Sequence, residues 1–247
     1  MQGTRHTTLT DAALVRLLAP WMSGPQPGSA PGLIEQLNGW LRWTDAQPLF
    51  AALQDPLALA PRADDEDDSA EGAAADAASV RALIERGLAE QAPWREPPRP
   101  RERSRATGWS AATAAPGAEP IELATYRHHH LTQQQRMEDR IAALRTRLRR
   151  VLQLRSPAQA RLAALDAVME RVLDEPQRRL LAGVPALLEQ RFAALRAEAS
   201  QASAANADTH TVWQQRFQHE LDAALQAELD LRWQPIDGLL AALHAPA

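Results

Sequence analysis

Cysteine and lysine are both missing from the 247 residues, and the two absences remove much of covalent chemistry at once. Without cysteine there is no disulfide, no thiolate nucleophile, no zinc ribbon and no iron–sulfur ligation. Without lysine there is no Schiff base and no phosphate-binding Walker lysine. All 27 basic side chains are therefore arginine. The replacement is global rather than local, which points to a codon usage rich in Ala, Pro and Arg more than to bidentate anion sites. Aromatic residues are only 4% of the chain, and no segment alternates Val, Ile, Thr and Tyr with period two, so a sheet has nothing to be built from. No apolar run approaches the roughly 20 residues that span a bilayer. The first residues, MQGTRHTTLTDAALVRLLAPW, are interrupted by Asp11 and Arg16 and make no signal peptide. The expectation is an all-α, cytoplasmic chain without a transmembrane segment.

Ala and Leu are plentiful instead, and 45% of residues are hydrophobic, enough for one sizeable core or two small ones. The clearest pattern lies in PIELATYRHHHLTQQQRMEDRIAALRTRLRRVLQLR (120–155). Met137, Ile141, Leu144, Leu148 and Val151 alternate four and three residues apart, a heptad seam on one helix. The same frame runs back through Gln134, His130, Arg127 and Leu123, so the seam turns polar toward its N-terminal end. The spacing predicts a helix over 132–154 with an extension over 121–131.

C-terminal to it, Ser156–Pro157–Ala158–Gln159 reads as a helix start, with Ser as cap, Pro at the first position and Gln closing a capping box. Pro176 is expected to end or restart that helix, and Leu187, Leu188, Phe192 and Leu195 mark the next one. A last long helix carries Trp213, Phe217, Leu221, Leu225 and Leu229, with Pro235 breaking it before a short terminal helix. Residues 121–247 thus read as a four- or five-helix bundle with a long heptad-patterned helix.

N-terminal to it, three short helices with Trp21, Trp40 and Trp43 suggest a small helical module over 1–60. One helix uses Leu14, Leu17 and Leu18, the second Leu33, Ile34, Leu37 and Leu41, the third Leu49, Phe50, Leu53 and Leu57. Residues 61–78 form an acidic linker, 79–92 a short helix capped by Ser79, and 93–120 a disordered Pro/Arg-rich linker.

The net charge of −4 conceals segregation. Asp64 to Asp76 carries acid and no arginine, whereas Arg95, Arg99, Arg101, Arg103 and Arg105 outnumber Glu96 and Glu102. The basic helix 136–155 and the acidic stretch 217–231 suggest neighbours, although exposed pairs contribute only ~0.2–1 kcal/mol each.

Candidate chemistry is sparse. His128, His129 and His130 point about 100° apart on a helix and cannot grip one ion together. No i,i+4 histidine pair, nucleophile elbow, phosphate loop or dinucleotide fingerprint occurs. Glu170, Asp174 and Glu175 read as surface acids rather than a catalytic dyad. No cofactor and no catalytic residue is expected. Two uses remain. A protein partner, or self-association, would be met by His130, Gln134, Met137, Ile141, Leu144 and Leu148, with homodimerisation through the last four a specific version. Alternatively Arg95, Arg99, Arg101, Arg103 and Arg105, flanked by Trp94 and Trp109, would bind nucleic acid together with the basic helix.

The stretch SPAQARLAALDAVMERVLDEPQRRLLAGVPALLEQRFAALRAEA (156–199), with TDAALVRLLAPW (10–21) and the region spanning Trp40–Leu53, resembles a proteobacterial family described only as a domain of unknown function. That resemblance implies gene neighbours of proton-channel and OmpA-like kinds, and hence a cytoplasmic accessory role to a cell-envelope assembly. It carries no catalytic residues over. The reading is a non-enzymatic helical scaffold or adaptor, with nucleic-acid binding as the alternative.

Overall fold

A computed structural model describes residues 13–22, 39–40, 43–54, 69–90, 92–94, 122–202 and 209–245. Among these residues every regular element is helical. In chain order they are α1 (Ala13–Leu18, prolonged by a 3-10 turn Ala19–Trp21), α2 (Trp43–Gln54), α3 (Ala70–Glu90), α4 (Leu123–Arg155), α5 (Pro157–Leu181), α6 (Val184–Ala202) and α7 (Thr209–His244).

The heptad helix is α4, and it takes in nearly all of the polar extension as well as the apolar seam. Its neighbours reveal the topology. Successive α4 residues meet successive α7 residues: Tyr126 pairs with Gln218, His130 with Glu228, and Arg155 with the Leu243 carbonyl. The two longest helices therefore run parallel and share the core. Arg145 meets Asp166 and Glu138 meets Arg178, so α5 runs back along α4. Arg127 meets Glu189, so α6 continues in the same direction as α5. Arg147 meets Asp76, and Trp94 meets Tyr126, so α3 also runs antiparallel to α4. The bundle is a central parallel pair, α4 and α7, flanked by α3 and by the α5–α6 run.

Several boundaries depart from the sequence expectation, each for a local reason. The helix expected at 79–92 begins at Ala70, inside the stretch read as the 61–78 acidic linker. Ser69 is the cap, its Oγ accepting from the Gly72 N–H at 2.9 Å, whereas Ser79 lies within the helix and donates to the Ala75 carbonyl. Ala73 and Ala77 form its inner face, and their small side chains let α3 come close. The rest of that linker lies outside the described residues.

Neither of the two prolines expected as breaks stops its helix. α5 passes through Pro176 to Leu181, and α7 passes through Pro235 to His244. A mid-helix proline costs about 3 kcal/mol. Beyond or beside Pro235, however, Trp233, Ile236, Leu239 and Leu243 are all buried, each contributing about 1.5–3 kcal/mol. Tertiary burial outweighs the local penalty.

Ser156 caps α5 as expected, with Pro157 at its first turn. Gln159 does something else: its Nε2 donates to the Ala242 carbonyl at 2.9 Å, while Arg155 donates to the Leu243 carbonyl at 2.8 Å. The α4–α5 corner thus satisfies carbonyls left open at the end of α7.

The described parts of residues 1–60 dock on the bundle at different places. Leu14 and Leu18 of α1 join the main core beside α7. Ala52 of α2 packs against Val168 and Val172 of α5, with Trp40 and Leu49 beside them. The second short helix expected around Leu33–Leu41 lies largely outside the described residues.

Candidate functional site

The polar end of the α4 seam is where sequence and structure meet most closely. Three consecutive histidines diverge as helical geometry requires: His128 is exposed, while His129 and His130 are buried. His130 lies fully inside, and its Nε2 stands 3.2 Å from Oε1 of Glu228, which is also fully inside. Gln134, one turn on, donates its side-chain amide to both oxygens of that carboxylate, at 2.9 and 2.8 Å. The result is a closed polar layer between α4 and α7, with Nδ1 of His130 left without a hydrogen-bond partner. Beside it a void of about 10 Å³ is lined mostly by apolar atoms, including those of Leu123, Leu188, Phe217 and Leu221.

Next to this layer lies an aromatic cluster. Trp94 packs on Tyr126 at 5.0 Å and edge-on to His129 at 4.8 Å. Tyr126 also meets Phe217 at 5.0 Å, and Phe192 joins Phe217 to Trp213. The chain's one tyrosine keeps its hydroxyl satisfied by Gln218, which donates at 2.9 Å. Burial pushes that hydroxyl's pKa up, and the Gln218 bond opposes the rise only in part. Trp94 is thus part of the core edge rather than a free stacking platform for bases.

The arginines of α4 are mostly spoken for. Arg145 and Arg149 face Asp166 and Glu170 of α5 at distances down to 2.6 Å, and Arg147 meets Asp76 at 2.8 Å. Charge segregation correctly suggested α4 and α7 as neighbours, but Arg145 and Arg149 turn to α5. On the other flank Glu220 of α7 takes a two-point contact from Arg191 at 2.7 Å and a further one from Arg216. Burial alone would raise the Glu220 pKa, yet the bonds and charges of the two arginines outweigh it and hold it below the usual carboxylate value.

The expected contact residues change role accordingly. Met137, Ile141, Leu144 and Leu148 are buried against α7 and the flanking helices of the same chain, Met137 and Leu148 at 0% exposure. They are taken off the surface, because α7 already fills the stripe. His130 is likewise internal, and Gln134 is half-buried with its amide committed to Glu228. Arg95, Arg99, Arg101, Arg103 and Arg105 lie outside the described residues. Among the described residues no group of three or more His, Asp or Glu is placed to hold a metal ion.

Two features escaped the sequence reading. Glu228 follows Leu221 by one heptad, and that spacing would have placed it in the seam. The second is the outward face of α2. Leu49 and Ala52 turn inward, while Phe50 and Leu53 remain 65% and 59% exposed. Nearby, Trp40, Thr44, Asp45, Arg171, Val172 and Leu180 line a groove of about 500 Å³ between α2 and the end of α5.

Over residues 1–245 the chain matches the family model described as "Protein of unknown function (DUF3348)". No curated protein and no solved structure matches it.

Proposed function

The chain belongs to that family of unknown function, and we propose from its own geometry that it is a non-enzymatic helical scaffold or adaptor acting through protein–protein contacts. One observation carries the reading: α2 docks through Leu49 and Ala52 and presents two further large apolar residues, Phe50 and Leu53, to solvent. Aromatic and large aliphatic side chains held outward on a docked helix are what a partner's pocket receives. The support beneath is stiff. Helices of 33 and 36 residues give parallel rods of about 50 Å, fixed to each other along their length. A cytoplasmic place beside a cell-envelope assembly is part of the proposal and rests on the family resemblance alone.

The test compares the native chain with Phe50→Asp/Leu53→Asp as bait in the native lysate, with and without nuclease. The reading expects a nuclease-resistant protein partner that the double variant loses while its thermal melting stays unchanged. The same partners on both baits would refute the α2 face. A partner set that vanishes with nuclease would replace the scaffold by the nucleic-acid reading through Arg95–Arg105.

A further inference from the structure

Most of the α4–α7 seam is made of interchangeable aliphatics. Met137, Ile141, Leu144, Leu148 and Val151 on one side and Leu229, Ile236, Leu239 and Leu243 on the other would meet similar partners after a slip of one heptad. Aliphatic packing is non-directional and discriminates weakly between such registers. The His130–Gln134–Glu228 layer is directional. The geometry points to Glu228 as the register lock of the central helix pair, read by His130 and Gln134.

Consider the two slips. If α7 moves one heptad toward the C-terminal end of α4, Glu228 comes beside Met137 and Ile141, and Leu221, which already lines the void next to His130, takes the carboxylate's place against His130 and Gln134. A buried carboxylate, an imidazole and an amide then all lose their partners. Removing one partner of a buried charge shifts populations by roughly a hundredfold or more, against about three- to tenfold for an aromatic contact. The polar layer is therefore the stronger discriminator. The opposite slip carries Trp213 and Phe217 past Leu123, off the start of α4, and sets His130 and Gln134 against Pro235 and Ile236. Burial reinforces the point: His130 and Glu228 are both at 0% exposure, so water cannot substitute for the missing partner in the slipped states. Holding one register is the best-attested use of buried polar groups between helices.

The native chain has no cysteine, so two introduced ones are unique labelling sites. Spin labels at Arg150→Cys on α4 and His219→Cys on α7, both exposed positions, report the axial offset by electron–electron double resonance. A one-heptad slip changes that offset by about 10 Å. The labelled native sequence is expected to give one narrow distance. His130→Leu/Gln134→Leu/Glu228→Leu replaces the whole layer by apolar groups and is expected to keep helicity and melting temperature while adding a second distance, displaced by about 10 Å. One unchanged narrow distance in the triple variant would overturn the inference. So would loss of its helical circular dichroism, because a layer whose removal costs the fold rather than the register is a stability element and not a lock. Glu228→Gln, which keeps the shape and the acceptor oxygen facing Gln134 or His130, is expected to retain the single native distance; a second distance there would count against the inference as well.

Discussion

The two halves of α4 bury the same stripe by opposite chemistry. From Met137 to Leu152 the inward positions are aliphatic or Met, and they gain stability by leaving water. From Tyr126 to Gln134 the inward positions include His129, His130 and Gln133, with Gln134 half-buried beside them, and burying them is offset by the Glu228 carboxylate, which meets His130 and Gln134, and by the Trp94 ring against His129. One half supplies stability and accepts many partners; the other supplies little net stability and accepts few. A heptad pattern alone reports the first half faithfully and understates the second.

Substitutions can break this contrast, beginning with the most disruptive. Leu144→Asp puts an unpaired carboxylate into the aliphatic half, where Leu144 is 3% exposed, and is expected to unfold the bundle rather than split a dimer. The cost, above about 5 kcal/mol, rivals the whole stability of a domain. Circular dichroism would show it; a folded variant of reduced mass would contradict it. In the polar half the expected order is inverted relative to size. Glu228→Ala alone, leaving His130 and Gln134 unanswered, costs about 3–5 kcal/mol, whereas the apolar replacement of all three residues costs little. Urea midpoints of the two variants should therefore rank the triple variant above the single one, and the reverse order would show the layer to be stabilising in itself.

A smaller effect comes from the α6–α7 flank. The folded state holds the Glu220 pKa below its unfolded value, so its contribution is present above the ordinary carboxylate range and is lost as pH falls through the depressed folded value. Glu220→Gln should cost about 1–2 kcal/mol at neutral pH and progressively less in acid. Parallel pH–stability curves for native chain and variant would disprove the linkage. Last, Ser156→Ala removes the α5 cap and should lower stability by about 1 kcal/mol, measurable as a modest drop in melting temperature.

Much of the fold was legible because helix periodicity is local information. The α4 seam, the Ser156 cap and the existence of a second long helix followed from spacing alone. What was not legible depended on partners distant in sequence. Pro176 and Pro235 read as stops because their penalty is local, whereas the burial that overrides it comes from other helices. Phe50 and Leu53 read as an inner stripe with Leu49; the choice of Ala52 as the docking residue is made by Val168 and Val172 on α5. The role of Glu228 within the acidic stretch 217–231 was not legible because its partners lie nearly a hundred residues earlier, at 130 and 134. The candidate contact residues share one stripe, as the heptad pattern says, and that stripe turns toward α7, which a heptad pattern cannot show because it does not say whether its mate is in the same chain.

The α4 seam is completed within one chain, chiefly by α7. Hydrogen exchange of the Met137–Leu152 amides at low and high protein concentration tests it most directly. Protection that is strong and independent of concentration is the predicted result. Protection that grows with concentration would mean that a second copy completes the seam, and would contradict it.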